Sequence, residues 1–363
     1  TNYGNVVSGG AESARVALYK SDNLPAVRVY QEMQKRSVDV MGYLEKMGFN
    51  PAASYTPEDI KNLAFAIGGV SSGPTVLEET RAFATFANNG NYHDGYFIDR
   101  IEDAAGNVVF QHQSNPTQVF SEDSNYLMID MLRNTMTEGT GRIAKGYMSM
   151  GGDWIAKSGI SENSKDVWFI ASTPSITIGS WIGYDSRFQN YTINIDDGYG
   201  RESERSQRYW ANVVNELYAA RPDIFGVDRK FNRPSSVQET DVLQQTGTKP
   251  GTMRLDNGGT ISITGPTYKD LFKVSHPAPE LNYKFLFGAT DEELANFWST
   301  YRAQLEEQRR QEDQRRQQES SSSSSSSSSS AANENPGNGN ETPGGNNNNN
   351  NQNNNQNNTP GQR

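Results

Sequence analysis

Apolar side chains in the first half of the chain recur every three or four positions, which is the period of an α-helix with one buried face. This pattern predicts helices over residues 13–33, 38–47, 57–67, 77–87 and 127–137. We expect the first helix to be interrupted at Pro25, because proline removes a backbone donor. The first half of the chain is therefore predicted to be mainly helical.

The pattern changes after Gly151, where short runs rich in β-branched and aromatic residues begin. Residues 153–158, 166–172 and 176–184 are predicted to be three strands separated by turn residues, which together form an antiparallel meander. Residues 203–220 show the pattern of one amphipathic helix, long enough to cover a face of that sheet. Helices packed around an antiparallel sheet indicate the α+β class.

Beyond Arg221 the chain is broken up by Asn, Pro, Ser and Gly, with strand-like runs at 259–264 and 283–287. We therefore predict a first domain over 1–225 and a small β-rich appended domain over 226–299. Residues 300–363 consist of a Gln, Arg and Glu segment, a serine run and an Asn-rich tail. Such segments bury too little apolar surface to offset the entropy of ordering, so we predict a charged helix or linker followed by a disordered Ser- and Asn-rich tail.

Composition excludes several classes of function. The net charge is −10 and no cluster of Lys and Arg stands out, which argues against nucleic-acid binding. The chain has no cysteine, and His93, His112 and His276 fit no metal-binding spacing, so we expect neither a metal nor a cofactor. The sequence contains no run of about 18 apolar residues. We therefore expect any membrane anchor to precede it.

Two short motifs carry the candidate chemistry. One is a Ser-Asp-Asn tripeptide at 21–23, and the other is a Lys-Ser-Gly tripeptide at 157–159, at the end of the first predicted strand. Ser-Asp-Asn and Lys-Thr-Gly, together with Ser-x-x-Lys, are the signature of penicillin-binding proteins and class A β-lactamases, and the second tripeptide here has Ser in place of Thr. Each motif alone is weak. A second Ser-x-Asn at 161–163 is better explained as a hairpin turn.

Over nearly all of residues 3–185 the sequence resembles class A penicillin-binding proteins, in particular those of the streptococcal type. The passages that carry the resemblance are RVAL at 15–18, SDNLPAV at 21–27, GGVSSGPTVLE at 68–78, FATFANNG at 83–90, EGTGR at 138–142, DVWFI at 166–170, TP at 173–174 and WIGYD at 181–185. The resemblance implies the transpeptidase fold shared with serine β-lactamases, incomplete at its N-terminus. It also implies a peptidoglycan D,D-transpeptidase.

The resemblance assigns catalytic roles to Ser21, Asn23, Lys157 and, through its backbone N–H alone, Ile160. In this family a serine attacks the D-Ala-D-Ala carbonyl and a lysine acts as its base. Ser21 would relay the proton to the leaving group, and Asn23 would orient the lysine and the substrate amide. Lys157 would supply a fixed positive charge that attracts an anionic substrate and helps to keep the general base deprotonated.

Ile160 and three substrate-binding residues, Ser158, Gly159 and Ser161, are implied to contact the substrate. Ser158 would hydrogen-bond its carboxylate, Gly159 would let the strand approach its backbone, and Ile160 would donate a backbone N–H to the oxyanion. The family usually has Thr at position 160, so Ile160 lacks one hydroxyl, and we expect weaker capture unless Ser161 compensates. Ile160→Thr in the complete protein is then expected to speed β-lactam acylation.

The nucleophile of the family is absent from this sequence, because none of its lysines follows a serine by three positions. In the family the Ser-x-x-Lys motif precedes Ser-x-Asn by more residues than are available here. We therefore expect it in a missing N-terminal part of the same protein, together with a glycosyltransferase domain and a membrane anchor. The chain alone is expected to form no acyl-enzyme. Its expected partners are peptidoglycan stem peptides and β-lactams, at the extracellular face of the membrane.

Two other functions fit the same residues. A β-lactamase-like serine hydrolase is disfavoured by the long segment after residue 225 and by the lack of a convincing hydrolytic glutamate. A non-catalytic wall-binding or scaffold module would have kept the fold and lost the serine.

Overall fold

The structure is a computed structural model, and it describes residues 13–184, 191–193, 198–244, 247–254, 260–263 and 265–280, together with residues 299, 303, 306–307 and 309–317. Contacts divide the chain into two compact units, Thr1–Asn296 and Phe297–Arg363. The described positions of the second unit are helical, and Arg310 Nη2 lies 3.9 Å from Glu306 Oε2. The predicted disordered tail lies outside the described residues. The predicted boundaries at 225 and 299 remain predictions.

The helices in the described part of the first unit are α1 (Ala14–Lys20), α2 (Asn23–Lys35), α3 (Val40–Lys46), α4 (Pro51–Ser54), α5 (Pro57–Lys61), α6 (Val76–Ala87), α7 (Glu122–Thr137), α8 (Arg142–Tyr147) and α9 (Glu202–Ala220). They confirm the predicted helices over 38–47, 77–87, 127–137 and 203–220, with ends that differ by at most five residues. Among the described residues, no helix combines the length and the hydropathy that a membrane span requires.

The predicted helix over 57–67 is divided at Asn62. Its backbone is extended, and its side chain accepts a 3.0 Å hydrogen bond from the Ala64 N–H, which starts a separate 3-10 helix over Leu63–Ile67. A capping asparagine therefore stops α5 where the apolar period alone predicts continuation.

The predicted break at Pro25 in the first helix is wrong. The chain turns at Ser21, which adopts the left-handed conformation with φ 63° and ψ 44°, and not at Pro25. The Asp22 N–H bonds to the Ala17 carbonyl at 2.9 Å, a pattern that ends helices. Pro25 is the third residue of α2, where a backbone N–H has no partner within the helix, so proline is tolerated there.

The strands in the described residues are β1 (Asn91–Tyr92), β2 (Arg100–Glu102), β3 (Val108–Gln111), β4 (Thr117–Gln118), β5 (Ile155–Ile160), β6 (Asp166–Ser172), β7 (Thr177–Gly183), β8 (Val237–Leu243), β9 (Gly251–Arg254), β10 (Thr260–Ile263) and β11 (Thr267–Lys273). Strands β5, β6 and β7 form an antiparallel sheet in that order, which confirms the predicted meander and the α+β class. Because β5 runs to Ile160, the tripeptide at 157–159 lies inside the strand.

The three-stranded sheet separates two apolar layers. On one face, Ala156 and Phe169 pack with Trp210 of α9, and on the other face Ile155 and Ile170 pack with Ile129 of α7. Successive side chains of a strand point to opposite faces, so Lys157 shares the α7 side with Ile155, and Ser158 shares the α9 side with Ala156. This alternation directs the two neighbouring site residues to different partners.

Strands β8 and β11 pair antiparallel over seven residues each. Val237 of β8 and Leu271 of β11 contact the apolar layer that contains Ile129. Asp270 of β11 also forms an ion pair with Arg15 of α1. The predicted run at 259–264 corresponds to β10, whereas the run at 283–287 lies outside the described residues.

Candidate active site

The side chains of Ser21 and Lys157 meet where α1 ends beside β5. Lys157 Nζ donates to Ser21 Oγ at 2.7 Å and to the Ser158 carbonyl oxygen at 2.8 Å. Ser21 reaches this position because its left-handed backbone turns the chain sharply after α1. A non-glycine residue in that conformation costs free energy, and such residues concentrate at functional sites.

The environment of Lys157 favours its neutral form more than water does. Burial lowers the pKa of the ammonium group from 10.5 to about 8. At neutral pH the group still carries most of its charge, and it carries that charge in a poorly solvated place. A poorly solvated cation interacts more strongly with an incoming anion than a surface lysine does.

The hydroxyl of Ser158 lies on the other side of β5 and donates to Thr140 Oγ1 at 2.8 Å. Thr140 belongs to the turn between α7 and α8. Its own N–H donates to the Tyr19 carbonyl at 3.1 Å, two residues before Ser21. The turn therefore bonds to both motif-bearing segments. Thr140 was missed in the sequence, although the EGTGR passage at 138–142 was the signal that could have identified it.

Gly139 is required for this turn to approach α1. A Cβ atom on Gly139 would lie 2.3 Å from the Tyr19 carbonyl oxygen, far inside van der Waals contact. Gly159 is different, because a Cβ there would lie 3.6 Å from Trp168 Cβ, an ordinary contact. The packing of the chain itself therefore does not require glycine at 159.

The remaining predicted site residues lie at the borders of this cluster. Asn23 is half-buried and begins α2, two residues after Ser21. Ile160 is the last residue of β5, pairs with Val167 and is 37% exposed. The structure does not bring the Ser161 hydroxyl to Lys157. That hydroxyl accepts the Asp166 N–H at 2.8 Å and donates to the Asp166 carboxylate at 3.0 Å, within the β5–β6 turn.

Comparison with known families identifies the fold that carries this cluster. The sequence profile described as the penicillin binding protein transpeptidase domain matches residues 1–218. This chain belongs to the penicillin-binding protein transpeptidase family. The predicted resemblance and the predicted fold are thereby confirmed.

Curated relatives of this transpeptidase chain include several class A penicillin-binding proteins. Penicillin-binding protein 1F of Bacillus subtilis is 31% identical over 200 residues, which cover 54% of this chain and 27% of the relative. Penicillin-binding protein 2a of Streptococcus pneumoniae is 26% identical over 266 residues, covering 70% of this chain and 34% of the relative. The chain thus spans about a third or less of the length of these relatives.

Solved structures show the same transpeptidase fold at low sequence identity. Penicillin-binding protein 1A from Haemophilus influenzae matches with a TM-score of 0.57 and 18% identity, covering 78% of this chain and 44% of that one. The penicillin-binding protein PonA1 from Mycobacterium tuberculosis matches with a TM-score of 0.50 and 19% identity, covering 61% and 58%.

Proposed function

We propose that the chain forms the part of a peptidoglycan D,D-transpeptidase site that recognises the donor peptide and protonates its leaving group. The hydrogen bond between Lys157 Nζ and Ser21 Oγ, 2.7 Å long, is the observation that carries this proposal. In the parent protein, a serine outside this sequence would attack the D-Ala-D-Ala carbonyl and form the acyl-enzyme. Such a parent would also carry a glycosyltransferase domain and act outside the cell membrane.

The direction of this hydrogen bond suits Ser21 for proton transfer. Because the Lys157 ammonium donates to a lone pair of Ser21 Oγ, the hydroxyl hydrogen of Ser21 must point elsewhere. It is then free to pass to the amine of the departing D-Ala, while Ser21 regains a proton from the general base. Asn23, at the start of α2, would orient the base and the substrate amide.

The free carboxylate of the donor peptide would be held by charge and by a hydroxyl. The Lys157 charge attracts it in a poorly solvated place, and Ser158 offers the hydroxyl. Gly159 leaves room for the peptide backbone to lie along β5. The Ile160 N–H would stabilise the oxyanion, a contribution that does not depend on its side chain. Ser161, bound to Asp166, contributes least in this proposal.

Peptide binding tests this proposal in the 363-residue chain itself. We expect an acetylated D-Ala-D-Ala dipeptide to bind, and the same dipeptide with a C-terminal amide to bind at least about tenfold more weakly, since a charge-assisted hydrogen bond is lost. Titration by NMR detects such weak affinities. Equal binding of acid and amide, or no binding of either, would contradict the proposal.

A second candidate function is a wall-binding module without catalysis. The observation that favours it is that this sequence contains no Ser-x-x-Lys motif. Both candidates predict that incubation with benzylpenicillin leaves the intact mass of this chain unchanged. They differ in the polypeptide encoded upstream in the gene. A Ser-x-x-Lys segment there supports the transpeptidase, whereas a natural start near Thr1 supports the binding module.

A further inference from the structure

We infer that Thr140 is a positioning residue that fixes the hydroxyl of Ser158 in the orientation needed to bind a carboxylate. The inference rests on the proposed function, in which Ser158 receives the carboxylate of the donor peptide. It adds a residue outside the two motifs, and it assigns a task to the turn between α7 and α8.

Thr140 is held by partners on two different helices. Its N–H bonds to the Tyr19 carbonyl of α1, and its carbonyl accepts a 2.8 Å hydrogen bond from Gln207 Nε2 of α9. Gln207 is 1% exposed, and its Oε1 atom accepts a 2.9 Å hydrogen bond from the Ala144 N–H. Both backbone polar groups of Thr140 are thus fixed, so the position of its hydroxyl is set by the fold.

The packing of the turn leaves it little room to move. Added Cβ atoms would lie 2.3 Å from the Tyr19 oxygen at Gly139 and 3.0 Å from Met136 Sδ at Gly141. The two glycines therefore let the backbone around Thr140 pack directly against α1 and α7. A β-branched residue is also restricted in χ1, which limits the directions that its hydroxyl can take.

The side chain of Ser158 is free to adopt more rotamers than that of Thr140. A serine side chain has three staggered rotamers that differ little in energy, and neighbouring groups decide which one is populated. The 2.8 Å hydrogen bond to Thr140 selects one of them. Both hydroxyls can donate and accept, so rotation of two hydrogens reverses the bond. Thr140 then donates to Ser158 while Ser158 donates to the carboxylate, and the oxygen of Ser158 keeps its place.

Replacement of the Thr140 hydroxyl by a methyl group tests this role with little change in shape. In Thr140→Val, Ser158 loses its partner and is expected to populate more than one rotamer. We expect the affinity for acetyl-D-Ala-D-Ala to fall about fivefold, the ratio that one neutral hydrogen bond supports. Thr140→Ser restores the hydroxyl and should recover most of the affinity. Thr137→Val, on the exposed end of α7, controls for the substitution itself.

The experiment has two arms on the full 363-residue chain. Scalar couplings in serine-labelled protein report the χ1 populations of Ser158 without any ligand, with Ser158→Ala identifying its signals. NMR titration with acetyl-D-Ala-D-Ala reports affinity. Urea unfolding of each variant excludes a general loss of stability as the cause.

A single Ser158 rotamer in the wild type that becomes mixed only in Thr140→Val, together with weaker peptide binding, supports the inference. Unchanged couplings in Thr140→Val overturn it. Tighter peptide binding by Thr140→Val also overturns it, since Thr140 would then compete for the Ser158 hydrogen. If the wild type binds no peptide, the proposed function fails, and the ligand-free couplings still decide whether Thr140 positions Ser158.

Discussion

Lys157 Nζ lies 2.7 Å from Ser21 Oγ, although one residue belongs to a strand and the other ends a helix 136 positions earlier. Neither element alone fixes this distance. The turn between α7 and α8 bonds to both, through the Thr140 N–H to Tyr19 and through the Thr140 hydroxyl to Ser158. Substitutions that displace this turn should therefore change the distance between Lys157 Nζ and Ser21 Oγ.

Lys157 makes the stability of the chain depend on pH in a defined direction. Burial lowers its pKa in the folded chain to about 8, whereas the unfolded chain keeps the ordinary value of 10.5. Between these values the unfolded chain binds more protons, so this group makes the free energy of unfolding rise with pH. We predict that Lys157→Met removes a rise on the order of 2 kcal/mol between about pH 7.5 and pH 10. Urea unfolding at both pH values measures it, and a constant difference between variant and wild type would contradict it.

Asp153 is predicted to be essential for stability. Its carboxylate receives two 2.7 Å hydrogen bonds from Arg133 and one of 3.0 Å from the Phe231 N–H. Asp153→Ala leaves the partly buried Arg133 without this partner and should lower the free energy of unfolding by about 3 kcal/mol. Asp223→Ala removes the exposed pair with Arg221, which solvent screens, and should lower the free energy of unfolding far less. Similar losses for both variants in urea unfolding would refute this assignment.

Gly139→Ala should disturb the site from a distance. The new Cβ would meet the Tyr19 carbonyl oxygen at 2.3 Å, so α1 or the turn must shift. We expect destabilisation of about 1–3 kcal/mol, typical of overpacking, and a changed NMR signal for the Lys157 ammonium. Gly146→Ala is the matched control, because a Cβ there meets nothing within 4 Å and α8 gains helix propensity. A Lys157 signal unaffected by Gly139→Ala would show that the turn does not set the site.

Ile160→Thr should strengthen ligand capture. Ile160 ends β5 and is 37% exposed, so a hydroxyl can replace its side chain without leaving a cavity in the core. One more hydrogen bond to a carboxylate is worth about 1.5–3 kcal/mol, which corresponds to at least tenfold tighter binding of acetyl-D-Ala-D-Ala. Ile160→Val, which removes a methyl and adds no donor, is the control. If both variants bind as the wild type does, position 160 does not face the carboxylate. In the complete protein the same change is expected to speed β-lactam acylation.

Local pattern was enough to predict most of the fold that surrounds the site. The strands β5 to β7 and the helix α9 follow from alternating and helical apolar periods, because each has one face buried against another element. The break at Ser21 did not follow, since a left-handed serine is less common than a proline break. The short pair β2 and β3 was also missed, because its residues are exposed on both faces and show no apolar alternation.

The sequence predicts only part of the candidate active site. Ser21, Lys157 and Ser158 belong to recognisable tripeptides, and the structure brings them together. Thr140 forms hydrogen bonds to Tyr19, Gln207 and Ser158, all distant in sequence, so no local period could reveal it, and the EGTGR passage was its one signal. The sequence predicts that the Ser161 hydroxyl binds substrate, whereas in the β5–β6 turn this hydroxyl is hydrogen-bonded to Asp166.

The pH dependence of peptide affinity, compared between wild type, Lys157→Met and Lys157→Arg, tests most directly whether Lys157 binds the carboxylate. Because the pKa of Lys157 is about 8, wild-type affinity for acetyl-D-Ala-D-Ala should fall as its ammonium loses a proton. We predict a fall of about tenfold between about pH 7 and pH 9.5, with no such fall in Lys157→Arg, whose guanidinium stays charged. Lys157→Met should bind weakly at both pH values. A wild-type affinity that does not change over this range, or a Lys157→Met variant that binds as tightly as the wild type at about pH 7, would contradict the role of Lys157.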